Sequence, residues 1–184
     1  MHSIRRETSA LELAALVSQA LDLAGIRATL SGGGAVTLYT DNEYQSCDLD
    51  FITSAGNDVI AKAIAPLGFT RVPGVRQFEH PETDYYVEFP PGPLAFGETV
   101  VPDDDATTIG TDAGPLRVIT PTQSLMDRLA AYVHWTDNQS LDQATMVARR
   151  QRIDWPAVYD WARREGIETK LVDKLRKQAD ENGR

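Results

Sequence analysis

Apolar residues recur along the chain at two periods, three to four apart in some stretches and two apart in others, and the alternation marks out the elements. Leu13, Leu16, Val17, Ala20 and Leu21 form one stripe and predict a helix from Ser9 to Ala24. Ser9 with Glu12 makes a Ser-x-x-Glu cap at its start, and Gly25 stops it. The apolar run Ile26 to Leu30 reads as a strand, followed by Ser31-Gly32-Gly33-Gly34 and a short helix over Ala35 to Tyr39. Thr40 to Cys47 is polar and turn-like, and Asp41 and Glu43 read as solvated loop residues. The next strand, Asp48 to Ile52, alternates acid and apolar, so Asp48 and Asp50 project from one face and Leu49 and Phe51 from the other. Asn57 to Leu67 reads as a helix ended by Gly68, with Lys62 at its surface.

A strand-rich section follows. Phe69 to Val72, a Pro73-Gly74 turn and Val75 to His80 form a hairpin, and Tyr85 to Phe89 is a further strand after a turn near Pro81. Pro90 to Gly114 is rich in Pro, Gly, Asp and Thr and reads as a loop, broken by a short strand or plug at Leu94 to Gly97; its Asp103-Asp104-Asp105 triplet is expected to be solvated. Leu116 to Ile119 is a strand. Thr120, Pro121 and Gln123 then spell a capping box for a helix through Leu125 to Trp135. Helices over Ser140 to Arg150, Trp155 to Arg164 and Thr169 to Ala179 complete the pattern, with fraying expected over Glu181 to Arg184. His134 and Trp135 read as interface residues between these helices and the sheet. The expected fold class is mixed α/β (α+β): a mixed β-sheet core over residues 1–119 and a helical C-terminal lobe over 120–184, packed on the core.

Charge and composition narrow the function. A net charge of -9 over 184 residues weighs against a broad nucleic-acid surface, which needs clustered Lys and Arg, although it leaves an RNA end open as a substrate. The single cysteine, Cys47, rules out an internal disulfide or a cysteine zinc cluster and reads as a small packing residue. With no signal peptide or apolar run of spanning length, the expectation is a cytoplasmic protein without membrane contact.

The chemistry concentrates between Leu30 and Thr53. Glycines after a strand and before a helix let backbone N–H groups approach a phosphate, and the helix N-terminus favours an anion. Ser31 could add a hydroxyl to that phosphate or serve as an ordinary cap. Asp48 and Asp50 set two hard oxygen donors side by side, which suits a divalent ion such as Mg2+, with Mn2+ as the alternative. Such ions assist in-line phosphoryl chemistry.

Strand, glycine turn, helix and a strand carrying Asp-x-Asp resemble the nucleotidyltransferase superfamily that includes DNA polymerase β. Gly32-Gly33-Gly34-Ala35-Val36 followed by Ser46-Cys47-Asp48-Leu49-Asp50-Phe51-Ile52 looks most like its small bacterial members related to toxin-antitoxin and abortive-infection proteins. The resemblance implies a nucleotidyltransferase-like core and a third carboxylate at Glu88, which would join Asp48 and Asp50 on the metal or take the acceptor's proton. It implies a triphosphate held by Ser31, Gly32 and Gly33, and a basic residue early in the helix after Thr120. Many of those relatives carry Lys where this chain has Asp127. Arg128, one position on, is the remaining phosphate contact, or else a salt-bridge partner of Asp127 or Asp142.

The function this implies is Mg2+-dependent transfer of a nucleoside monophosphate from a nucleoside triphosphate to a hydroxyl. The acceptor is an RNA end such as tRNA, a protein or a small molecule, in a toxin-antitoxin or phage-defence setting and with a cognate toxin or antitoxin as partner. The alternative is a binding module of the same fold with little or no turnover, antitoxin-like or regulatory, and Asp127 in place of lysine favours it. Asp48, Asp50 and Glu88 favour the enzyme, because burying three unpaired acids for packing alone would be costly.

Overall fold

The alternating acid-apolar strand lies at the centre of the sheet. In the computed structural model, which describes residues 4–181, β2 (Asp48–Ile52) buries Leu49 and Phe51 fully while Asp48 and Asp50 stay partly accessible on its other face. It pairs antiparallel with β1 (Thr29–Ser31) and parallel with β5 (Tyr86–Glu88). Beyond β5 the antiparallel strands β4 (Gln77–Glu79) and β3 (Thr70–Arg71) extend the sheet. Beyond β1, β9 (Gly114–Val118) runs parallel to it and β8 (Thr107–Thr111) antiparallel to β9. The order across this seven-stranded mixed sheet is β3-β4-β5-β2-β1-β9-β8.

Helix α1 (Ala10–Leu23) starts on the expected cap, with Ser9 accepting from the Glu12 N–H at 3.2 Å, and packs on β9. Its Ala10 and Ala14 share one small cavity with Leu30 and Leu49, so α1 covers the face opposite the aspartates. Phe51 stacks on Phe89, whose ring meets Phe78 edge-on at 5.4 Å, and all three are sealed from solvent. Helix α3 (Asn57–Ile64) is shorter than expected: Pro66 cannot continue an α-helical hydrogen-bond ladder, and Ala65–Leu67 tightens into a 3-10 turn ending at Gly68.

The loop expected over Pro90 to Gly114 contains more order than its composition predicts. β6 (Ala95–Phe96) and β7 (Thr99–Val100) form a small hairpin, Asp103–Asp105 a 3-10 turn, and Thr107–Thr111 is the edge strand β8. β8 was hidden because its polar, threonine-rich sequence lacks an apolar face. It sits on the sheet edge, where β9 supplies all its pairing.

The Thr120 capping box forms, with Gln123 N–H to Thr120 Oγ1 at 3.2 Å and Thr120 N–H to Gln123 Oε1 at 2.8 Å, so α4 runs Pro121–Trp135. It packs on α2 (Gly32–Tyr39), α5 (Asn138–Arg150) and α6 (Trp155–Arg164); α7 (Thr169–Glu181) packs on α5 and α6. The last helix runs on through Glu181, and the fraying expected past that residue lies outside the described residues. The Tyr39 hydroxyl donates to the Ile119 carbonyl at 2.6 Å, and Gln151 donates to the Tyr39 carbonyl at 2.9 Å, tying the helices to the sheet. Trp161 Nε1 donates to the Phe96 carbonyl at 3.2 Å, fixing the small hairpin to α6.

Phe51 anchors this core from the strand that carries the acids. Phe51→Ala should lower unfolding free energy by about 3–5 kcal/mol in urea denaturation; a loss below about 1 kcal/mol would show that the sheet's aromatic layer is not what holds β2 in place.

Candidate active site

Register, not sequence distance, assembles the site. Ser31 lies opposite Asp50 across β1 and β2, and Glu88 lies opposite Asp50 across β2 and β5, so Asp50 is flanked on both sides. Tyr86 lies opposite Asp48 in the same way. The three carboxylates therefore share one face of two adjacent strands, β2 and β5, open enough to reach and shielded enough to feel one another. Ser46 donates its hydroxyl to Asp48 Oδ1, and Thr37 accepts from the Ser46 N–H at 3.0 Å, pinning the turn before β2 onto α2.

The glycines do not form a separate turn. Helix α2 begins at Gly32, three residues before the expected start at Ala35, because Gly32 at φ +59° swings the chain directly from β1 into the helix. A Cβ at Gly32 would collide with Asp50 Oδ2, so the missing side chain is what lets the carboxylate lie against the helix start. Gly33 comes equally close to Ser46. Ser31, the N-cap residue, makes no capping bond; its buried hydroxyl points to the Asp50 carbonyl at 3.5 Å.

Helix α4 adds two charges beside these. The Arg128 guanidinium donates to Asp127 Oδ2 from Nε at 3.1 Å and from Nη2 at 2.7 Å, and Nη1 reaches Gln143 Oε1 at 3.4 Å. Of the two expectations for Arg128, the salt bridge with Asp127 is formed. Burial opposes the Arg128 charge, but Asp127 more than offsets it and holds its pKa above the usual value, with Asp50 acting in the same direction.

Asp50 carries the strain of this crowding. Burial first, and then the charges of Asp48 and Glu88, push its pKa to about 7; Arg128 works against them and Asp127 with them. Glu88 is also raised, by burial and by Asp48. The donor set, hard carboxylate oxygens held on one face, fits a divalent ion in chemistry. As the side chains stand, however, no three His, Cys, Asp or Glu groups among the described residues are gathered closely enough to hold a metal. The three acids are brought together as neighbours, not as a formed cage.

Beside Asp127 a cleft of about 460 Å³ runs between α4 and the β6–β7 hairpin, lined by Glu98, Ala130, Ala131, His134 and Trp135 among others. Its hairpin wall is held by Glu165, which accepts from the Glu98 N–H at 2.8 Å and from the Thr99 hydroxyl, with His134 Nε2 at 3.8 Å. Trp135 is 81% exposed, so the expected interface role fails for it: the residue closes the last turn of α4, beyond the packed helices. Cys47 is likewise exposed, not packed, since it points away from the buried side of the turn. Arg76 ties the sheet end together through the carbonyls of Phe89 and Ala55. Tyr86 and Ser46 were missed as site neighbours. For both, position i-2, from Glu88 and from Asp48, was the available signal.

The fold is that of the nucleotidyltransferases. An antigenic nucleotidyltransferase-like protein from Paracoccidioides brasiliensis superposes with TM-score 0.58 at 14% identity, covering 78% of this chain and 77% of the other. The antibiotic-resistance factor ANT(2'')-Ia is similar too, at 11% identity in both of two structures. Its solution structure gives TM-score 0.53 over 91% and 89% of the two chains; its complex with adenylyl-2''-tobramycin gives 0.51 over 94% and 97%. No family model and no curated protein sequence matches the chain. No helix among the described residues is long and apolar enough to cross a membrane.

Because the folded pKa of Asp50 lies above its unfolded value of 3.8, the native state binds the extra proton between those values. Its contribution to stability is therefore complete below about pH 4 and is lost as pH rises through about 7. In metal-free buffer, Asp50→Asn should flatten that decline, by roughly 1 kcal/mol per pH unit, and raise the melting temperature at pH 8. A variant whose pH profile parallels the wild type would remove Asp50 as the crowded acid.

Proposed function

We propose that the protein transfers a nucleoside monophosphate from a nucleoside triphosphate to a hydroxyl acceptor. The observation that carries the reading is the placement of Asp50 between Gly32 at the start of α2 and Glu88 on β5, with Asp48 on the same strand face. A helix start receives phosphate and the acid face receives its counter-ion, so the two halves of a nucleotide site adjoin.

Asp48 and Asp50, with Glu88, are the residues that would hold Mg2+, or Mn2+ in its place. Bound there, the ion would supply charge neutralisation on the phosphates. The backbone N–H groups of Gly32 and Gly33, with the Ser31 hydroxyl once turned from the Asp50 carbonyl, bind the triphosphate, and Arg128 faces it from α4. Glu88, with its pKa raised by burial and by Asp48, takes the proton of the attacking hydroxyl. The new P–O bond forms at the α-phosphate as the bond to pyrophosphate breaks. Positioning and charge complementarity do most of the work.

For the acceptor, a cleft of about 460 Å³ next to Asp127 is of the size that takes a small molecule, roughly 300–1,000 Å³. Its acidic wall and the chain's net charge of -9 disfavour a long RNA and leave an RNA end or a protein hydroxyl as the other acceptors. ANT(2'')-Ia, whose structure holds adenylylated tobramycin, supports a small-molecule hydroxyl by likeness of fold. A toxin-antitoxin or phage-defence setting follows from the sequence resemblance. A second reading, a binding module with little turnover and a cognate toxin or antitoxin as partner, is favoured by one observation: Arg128 is neutralised by Asp127.

The test is pyrophosphate release with Mg2+, each of the four nucleoside triphosphates and a panel of hydroxyl acceptors including amino sugars and tRNA. Asp48→Asn and Asp50→Asn, each still melting cooperatively, should lose at least about 100-fold in rate. Turnover retained in either variant would remove that residue from the site, and no turnover by the wild type with any acceptor would favour the binding module.

A further inference from the structure

Arg128 is the cation that faces the carboxylate site from α4, and the Nε–Nη2 edge of its guanidinium is already taken. Nε and Nη2 both donate to Asp127 Oδ2, at 3.1 and 2.7 Å, and only 17% and 19% of the two side chains are exposed. The guanidinium nevertheless lies close enough to Asp50 to act on it electrostatically. Gln143, itself buried, accepts from Nη1 at 3.4 Å, so α5 supports the guanidinium independently of Asp127. Arg128 is thus positioned from one side and neutralised from the other.

A carboxylate and a phosphate offer a guanidinium the same kind of acceptor, and the two compete for one fork of donors. We propose that Asp127 is a built-in competitor for phosphate: a nucleotide's polyphosphate binds by displacing the Asp127 carboxylate from Arg128, so Asp127 sets nucleotide affinity. The inference rests on the nucleotidyltransferase reading and deepens it. Two effects act with one sign, because Asp127 both occupies the donors and places a negative charge beside the incoming phosphates. The displaced carboxylate has somewhere to go, since Asp127 lines the open cleft with Glu98 and His134. Left half-buried beside a phosphate it would be strongly unfavourable, and rotation into that cleft restores its hydration. Asp127 therefore acts through Arg128, as an affinity-determining residue and not as a catalytic one.

The experiment is calorimetric titration of the full chain with each nucleoside triphosphate in Mg2+, and with inorganic tripolyphosphate alone. It compares wild type, Asp127→Asn and Asp127→Ser, each with and without Arg128→Gln. Both Asp127 variants should bind roughly tenfold more tightly, and the gain should vanish with Arg128→Gln. A purely structural role for the ion pair predicts weaker binding and a lower melting point, not tighter binding. Equal or weaker nucleotide affinity in folded Asp127 variants, or a gain that persists without Arg128, overturns the inference while leaving the nucleotidyltransferase reading in place. Arg128-dependent tightening for tripolyphosphate with no nucleotide bound by any variant overturns that reading and, with it, the claim that Asp127 sets nucleotide affinity, leaving Asp127 only as a competitor for inorganic phosphate. Should both Asp127 variants fail to fold, the unaltered chain decides: the Arg128 Nε–H resonance should move on saturation with tripolyphosphate, and a resonance that stays put overturns the proposal.

Discussion

Asp50 is a carboxylate in the middle of a sheet, between Ser31 on one neighbouring strand and Glu88 on the other, and the surrounding structure is what makes that tolerable. Phe51 and Leu49 commit β2 to the core on its opposite face, so the strand cannot slip by one residue without exchanging acids for aromatics. The register that buries Phe51 is the register that crowds Asp50 against Asp48 and Glu88. Burial, and after it the crowding by Asp48 and Glu88, pushes the Asp50 pKa to about 7, and Gly32 removes the one side chain that would prevent the carboxylate from meeting the start of α2. A fold does not keep three acids on one face for packing. Three acids on one face call for positive charge beside them.

The structure itself supplies only part of that charge. Arg128 comes from α4, a helix whose start is set by the Thr120–Gln123 capping box and whose flank is held by Gln143 of α5. Arg128 lowers the pKa of Asp50, yet its own strongest bonds go to Asp127, so the acid face remains under-neutralised. Local sequence, a Thr-Pro cap, thereby positions a cation some eighty residues away in sequence from the acid it faces. The same helix carries Asp127 and His134 along one wall of the cleft, which joins the acid face to that cleft through one element.

Strand β2 was legible because its acid-apolar alternation is clean, which set Asp48 and Asp50 apart, while Glu88 came from the resemblance; β1 was expected over Ile26 to Leu30 but pairs only over Thr29–Ser31, fully buried and without alternation. The first helix and α4 were legible through their caps, since Ser9 and Thr120 accept the expected backbone N–H groups, and Asp137 and Asp154 cap α5 and α6 in the same way. Strand β8 was not legible, since Thr107 to Thr111 has no apolar stripe and owes its conformation to pairing with β9. The start of α2 was misread because three glycines signal a turn, whereas only Gly32 adopts a left-handed φ and the helix absorbs the other two. Only the resemblance put Asp127 near the acids, because its proximity to Asp50 depends on how α4 packs against α2. Trp135 was assigned with His134 to an interface as an aromatic residue, which says nothing about which side of a helix end faces solvent.

The central claim is that the acid face and the helix start together form one nucleotide site. Calorimetric titration of the wild-type chain with the four nucleoside triphosphates, with and without Mg2+, and of the Asp48→Asn, Asp50→Asn double variant, tests it most directly. The account predicts Mg2+-dependent binding of at least one nucleotide, lost in a double variant that remains folded. Nucleotide binding indifferent both to Mg2+ and to the loss of the two aspartates would contradict it.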